Sequence, residues 1–273
     1  MAKQIIDGRK IEKKLKLRYP EIEFDRLQMY FGFPYVINLD SAEGSLTISV
    51  PTMRTLIELG EKRFLQTINV FTTNTTEYRL VLWDAGIDWN EISDFELFCM
   101  LYKQIDPEIS TAIFKGIDFN DFELFKKTLD GNEIIVLYND KLNIEINEDV
   151  YQHIAQYLRL IFRITPQEKI TKDKYLKEMY IHKDRVDAEL RKKKAETEEI
   201  NTSIQPLISA CVNHPGFKYK LSEVLDLGIY EFYDSVGRLN VYESTTAVLK
   251  GMYSGFVDGS KFKADDFNFM KEL

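Results

Sequence analysis

A charged stretch in the second half of the chain sets the strongest limit on what it can fold into. Between Gln167 and Ile200, ten Lys/Arg alternate with nine Asp/Glu, and apolar residues thin out after Leu190. The first part of this stretch keeps a narrow stripe of Leu176, Met179, Val186 and Leu190, whereas RKKKAETEE from Arg191 keeps none. A helix without an apolar face has little to bury. The pattern therefore predicts an exposed connector helix over 167–200. It would join an N-terminal α+β lobe, 1–166, to a helical C-terminal lobe, 201–273.

The two expected lobes have enough apolar material for cores of their own. The chain is 273 residues long and 44% hydrophobic, with aromatics at 13%, so its core and any interfaces are ring-rich. A net charge of −8 argues against a general nucleic-acid binder, which needs cationic surface to displace phosphate counterions. Cys99 and Cys211, the only cysteines, sit in apolar helical surroundings and read as buried thiols. MAKQIIDGRK at the start lacks the apolar run of a signal peptide, and no apolar stretch approaches the length of a membrane span. The expectation is a protein of the reducing cytosol. From Ala2 to Arg18 seven Lys/Arg face Asp7 and Glu12, a solvated arm that could also meet an acidic partner.

Within the first lobe, Phe24, Leu27, Tyr30 and Phe31 recur at weak helical spacing between Pro20 and Pro34. Tyr35 to Ser49 reads as two short strands around Asp40, Ser41 and Gly44. From Thr52 the period turns helical through Met53, Leu56, Ile57, Phe64, Leu65 and Ile68, interrupted at Gly60. Asn74 with Glu77 fits a capping box for a helix ending at Gly86, and Asp106-Pro107 marks another helix start. GIDWNEISDFELF from Gly86 is echoed by GIDFNDFELF from Gly116. Ser93 with Glu96, and Asn120 with Glu123, each match an N-cap with its reciprocal Glu, so duplicated capping accounts for the echo. Glu133 to Ile146 reads as a hairpin turning at Asn139-Asp140, after which Asn147 opens an amphipathic helix through Val150, Tyr151, Ile154, Tyr157, Leu158, Ile161 and Phe162.

In the second lobe, Ile204, Leu207, Ile208, Cys211 and Val212 form one face, stopped at Asn213-His214-Pro215-Gly216. Ser222 marks a short helix ending at Gly228. A longer one runs through Tyr230, Phe232, Tyr233 and Tyr242 to stops at Gly251 and Gly255, and Asp265 or Asp266 can cap a last turn. The predicted class is mainly α with small β-hairpins.

The chemistry-bearing residues form no familiar constellation. His153, His182 and His214 have no further His or Cys at i+3 or i+4, so zinc patterns fail. There is no Gly-x-Ser-x-Gly, no Cys–His pairing suggestive of a thiol enzyme, and no glycine-rich phosphate loop. Asp118, Asp121 and Glu123, or Asp84 and Asp88, lack calcium-loop spacing and read as capping and solvated acids. The expectation is a protein that is not an enzyme, uses no cofactor and no metal, and acts by binding other proteins.

Several segments resemble a family encoded by tailed bacteriophages and prophages of Gram-positive bacteria. They are LVLWDAGIDWNEISDFELF from Leu80, DFNDFELF from Asp118, LISACVNHPGFKYK from Leu207, YEFYDSVGRLNVYESTTAVLKGMYSGF from Tyr230, and FNFMKEL from Phe267. The resemblance is to tail-morphogenesis proteins of the tail assembly chaperone type, and it supplies no catalytic residues. It implies a partner among phage tail proteins, the tape-measure protein first, and residence in the host cytoplasm during assembly. The alternatives are a tail or neck adaptor retained in the virion and an unrecognised hydrolase or nucleic-acid-processing enzyme. Tyr230, Phe232, Tyr233, Tyr242, Tyr253 and Phe256 exceed what one small core requires, and a client groove would use the surplus. Oligomerisation is compatible with any of these roles.

Overall fold

Capping chemistry places most of the element boundaries. The computed structural model describes residues 19–39, 44–129, 132–197, 204–263, 267, 268 and 270. The basic arm, Asp40 and Ser41, the Asp265/Asp266 cap and Phe269 lie outside the described residues. The chain is mainly helical with two small antiparallel sheets, the α+β class expected.

Asp25 opens α1 (Arg26–Tyr30) by accepting the Leu27 and Gln28 N–H groups. Next, β1 (Tyr35–Asn38) and β2 (Ser45–Ile48) pair antiparallel. Gly60, at φ +89°, splits the following helical run into α2 (Met53–Glu58) and α3 (Glu61–Thr72). The Asn74 side chain accepts the Glu77 N–H as expected, but it closes a turn, and α4 (Arg79–Asp84) begins only afterwards. Ser93 and Glu96 form the complete capping box of α5 (Asp94–Leu101), and Asp106 with Pro107 starts α6 (Pro107–Ile113).

The two copies of the echo agree in their first half and part in their second. Asp88 and Asp118 each accept the N–H of the Asn two residues on, at 3.0 and 2.8 Å, and that same Asn amide donates to the same carboxylate. The aromatic between them, Trp89 or Phe119, is fully buried. The duplicated element is thus an Asp–Asn turn that drives a ring into the core. Beyond it, DFELF is helical in α5, but in the second copy Glu123 begins β3 (Glu123–Leu129). Asn120 therefore caps no helix; its amide donates to the Ile105 carbonyl at 2.9 Å. The missing Glu91-Ile92-Ser93 removes the serine cap, and β4 (Asn132–Asn139), rich in β-branched residues, supplies a ladder in its place. The expected hairpin is present, with β4 pairing β5 (Ile144–Ile146), so the sheet runs β3-β4-β5.

Asn147 caps α7 (Glu148–Ile161), and the expected apolar face, Val150 to Phe162, is buried throughout. Phe71, Phe98, Phe114, Phe119 and Tyr151 form a connected ring cluster beside it, with neighbouring centroids 4.7–6.1 Å apart.

The segment expected to be an exposed connector is packed over its first half. There α8 (Lys174–Thr197) lies against α4, burying Ile181. Lys177 pairs with Asp88, Arg79 with Asp184 and Arg185 with Asp84, while the Trp89 indole N–H donates to the Lys169 carbonyl at 3.1 Å. The face in contact carries Lys177, Tyr180, Ile181 and Asp184, whereas Met179, Val186 and Leu190 point to solvent. Charge periodicity concealed this docking, because the docked face is itself largely ionic. Burial pushes the Asp88 carboxyl up, but its bonds from Lys177 and Asn90 outweigh that and hold it below the usual range.

The C-terminal elements are α9 (Gln205–Val212), α10 (Leu221–Val224) and α11 (Ile229–Tyr253). Ser222 lies inside α10 and does not cap it; the Glu223 carboxylate accepts the Lys220 N–H at its start. Gly251 does not stop α11, whose end comes at Gly255, φ +76°. A Cβ on Gly251 would sit 2.6 Å from Val257 Cγ2, so close packing explains that glycine. Residues 225–229 are zipped onto 51–54: Met53 N–H donates to Leu227 O, Arg54 N–H to Leu225 O, and Ile229 N–H to Pro51 O, all within 2.9 Å. Val224, Leu227, Ile229, Tyr230 and Phe232 consequently join the buried cluster that begins at Met29.

Trypsin tests this arrangement. First cleavage is expected at the exposed Arg191–Lys194, with Lys177 protected by its ion pair with Asp88. Because the core is continuous across the nick, the two fragments should stay together in native gel filtration. Separation of the fragments would show the halves to be independent.

Candidate functional site

Two regions gather polar or aromatic side chains from both halves of the sequence. The first is a buried polar hub around Thr72, Thr73, Asn74, Thr75 and Thr76, all buried. Main-chain groups there have left α3 and not yet entered α4, so they need partners. Arg159 of α7 donates to the Thr72 and Thr73 carbonyls at 2.7 and 3.0 Å, and approaches Asp94 at 3.5 Å. Asp94 accepts the Thr75 N–H at 3.1 Å, and the Asn74 amide donates to Glu168 and to the Gln167 carbonyl, both at 3.0 Å. The single Tyr19 hydroxyl proton serves either Asp94 Oδ2, at 3.1 Å, or Glu168 Oε1. Burial, followed by Asp94 and Glu168, pushes the Tyr19 phenol far up, so it remains a donor. The hub fastens α7 and residues 167–169 to the 72–76 turn. Above it lies a cavity of about 1070 Å³ lined by Tyr19, Phe24, Gln156, Arg159 and Arg163.

The second region is an apolar groove of about 470 Å³ between α1, the loop after α9 and the middle of α11. Its walls are Tyr30, Phe217, Tyr219, Leu239 and Tyr242. Its floor carries Asp234, held by Arg163 at 2.8 Å and Arg238 at 3.4 Å. The Asn-His-Pro-Gly breaker shapes the rim. The Gly216 N–H donates to His214 Nδ1 at 3.0 Å, which leaves Nε2 as the donor to Glu243, also at 3.0 Å. A Cβ at Gly216 would meet the His214 and Leu239 side chains at 3.1–3.2 Å, so the close approach favours glycine. Tyr219 donates to Glu231 at 2.9 Å, and that bond, with burial, pushes its phenol up to about 12. Beside Tyr30 stands Phe31, 68% exposed with its ring 5.9 Å away, and Leu27 lies one turn earlier at 67%.

The six residues singled out in the sequence do not form one surface. Tyr230 and Phe232 are buried in the main core, and Tyr233 packs against it. Tyr242, half exposed, is the one that lines the groove. Tyr253, 87% exposed, follows about 16 Å further along the helix at its rise per residue, and Phe256, 90% exposed, lies beyond the helix end. Tyr230 and Phe232 misled because α11 begins inside the N-terminal half, so its first turn faces a core on all sides. Leu27, Tyr30 and Phe31 were missed as site residues because nothing local links α1 to α11.

Residues 192–273 match the family model of the YomV second domain. YomV is a Bacillus prophage protein, and the match over this part of the chain is consistent with a phage-related family. The matched span contains Phe217, Tyr219, Asp234, Arg238, Leu239 and Tyr242, all but the α1 wall of the groove. No curated protein matches, and no solved structure matches.

No group of three His, Cys, Asp or Glu among the described residues is placed to hold a metal ion, and no helix among them is long and apolar enough to cross a membrane. Burial, with a smaller contribution from Glu96, pushes the Cys99 thiol up to about 12, so it stays protonated near neutral pH. Cys99 should therefore resist iodoacetamide in the native protein and react on unfolding. Alkylation at equal rates in both states would refute its burial.

Proposed function

We propose that this chain is a non-enzymatic phage tail assembly protein that binds a helical segment of a tail protein in the groove between α1 and α11. The observation that carries the reading is the aromatic and aliphatic wall of that groove, half-buried Tyr30, Phe217, Tyr219 and Leu239 with half-exposed Tyr242, and the exposed Leu27 and Phe31 beside Tyr30 on α1. Such a surface suits the apolar face of an amphipathic helix, with binding energy concentrated in a few rings. The prophage affiliation of residues 192–273 supports the setting, and the resemblance to tail-morphogenesis proteins makes the tape-measure protein the first client to test. A chaperone of this kind works in the host cytoplasm and leaves before the particle is complete.

Co-expression of the full chain with the tape-measure protein, followed by co-purification, tests the proposal. The wild type should retain the client. Tyr242→Ala should weaken binding by about 1–3 kcal/mol without changing the fold, because the ring is half exposed. Tyr253→Ala should change little. No retention by the wild type would remove the chaperone reading, and loss confined to Tyr253→Ala would move the site to the end of α11. Stoichiometric amounts in purified particles would assign the chain to the virion instead.

A further inference from the structure

The outer edge of β3 is an unpaired strand with a charge pattern that is complementary to itself. β3 pairs β4 on one side only, with Glu123 opposite Tyr138, Phe125 opposite Val136 and Lys127 opposite Ile134. Among the described residues no main-chain hydrogen bond reaches its other side. Leu124 and Phe125 on it are 44% and 46% exposed. Long apolar edges invite indiscriminate pairing, and lysines are a common means of blunting them. Lys126 and Lys127 do this here, yet Glu123 on the same strand leaves one register open.

We propose that a second copy of this chain adds its β3 antiparallel across this edge, with Phe125 facing the partner's Phe125. The constraint is geometric. A two-fold axis perpendicular to the sheet keeps each side chain on its own face, so directly opposed residues must be separated by an even number of positions. That leaves registers centred on a residue. Centring on Lys126 sets it against the partner's Lys126, and centring on Lys127 sets like charges together as well. Centring on Leu124 makes no charge pair, since Glu123 then meets the partner's Phe125. Centring on Phe125 sets Glu123 against the partner's Lys127 twice, by symmetry, and stacks the two phenylalanines between them. Glu123 has no ion pair among the described residues. Lys127 now reaches across β4 to Glu145 at 3.0 Å, and on dimerisation it exchanges that half-exposed contact for the partner's Glu123. The two three-stranded sheets would then run on as one. An edge contact of this size gives a reversible dimer, with dissociation roughly in the micromolar range.

Sedimentation equilibrium of the full chain over a concentration series reads this directly. A monomer–dimer equilibrium is expected for the wild type. Glu123→Lys, which disturbs no ion pair among the described residues, should raise the dissociation constant about tenfold or more, because like charges then face each other twice. Lys127→Glu should do the same, with circular dichroism checking the fold because this change also removes the Glu145 contact. The double exchange E123K/K127E should restore dimerisation, which a damaged fold could not do. A wild type that stays monomeric, a dimer indifferent to Glu123→Lys, or a double exchange without rescue would each overturn the proposal. Client binding in the α1–α11 groove is measured separately and does not bear on this outcome.

Discussion

Arg159→Met should destabilise the fold by about 3–5 kcal/mol, measured by urea unfolding of the full chain. The guanidinium is almost completely buried and satisfies two carbonyls, of Thr72 and Thr73, while lying 3.5 Å from the buried Asp94 carboxylate. A methionine fills similar volume but withdraws the donor from both carbonyls and removes a cation 3.5 Å from the Asp94 carboxylate. Asp94→Asn in the same background should recover part of the loss, because a neutral amide no longer needs that cation. Since the hub also holds Gln167 and Glu168, the Arg159→Met chain should become sensitive to trypsin between Lys169 and Lys177. A cost under about 1 kcal/mol would mean that water reaches the hub and that it does not fasten α7 to the 72–76 turn.

Phe119→Ala should cost a similar amount, about 3–5 kcal/mol, for a different reason. Its ring is fully buried, with centroids of Phe71, Phe114 and Phe122 at 4.9, 4.7 and 5.2 Å. Removing it opens a cavity among rigid rings that cannot close over it. Trp89→Ala, the matching position of the first copy, should also be severe, and in addition should loosen the segment from Lys169 to Lys177 that its indole faces. Tm measurements on the two variants compare the copies. A mild effect at Phe119 would show that this turn does not anchor the core.

These two sites also show where the sequence was legible. Ser93, Asp106 and Asn147 announce their helices because a cap is a contact between residues two or three apart. The apolar face of α7 was readable for the same local reason, a clean 3.6-residue period. DFELF was not, since its Glu-Leu-Phe is helix in α5 and strand in β3 according to what pairs with it. Docking of α8 was hidden because its contact face is built from Lys177, Asp184 and Arg185 and their partners on and near α4. The candidate groove was half legible. Tyr242 was singled out in the sequence, but its opposite wall comes from α1, two hundred residues earlier, and only the fold brings them together.

Hydrogen exchange of the full chain, with and without the tape-measure protein, tests the central claim most directly. Binding in the groove should slow exchange in α1, in the loop from Gly216 to Tyr219 and in α11 around Asp234 to Tyr242, while the end of α11 near Tyr253 is unchanged. Protection confined to the Tyr253 end, or no protection anywhere at saturating client, would contradict it.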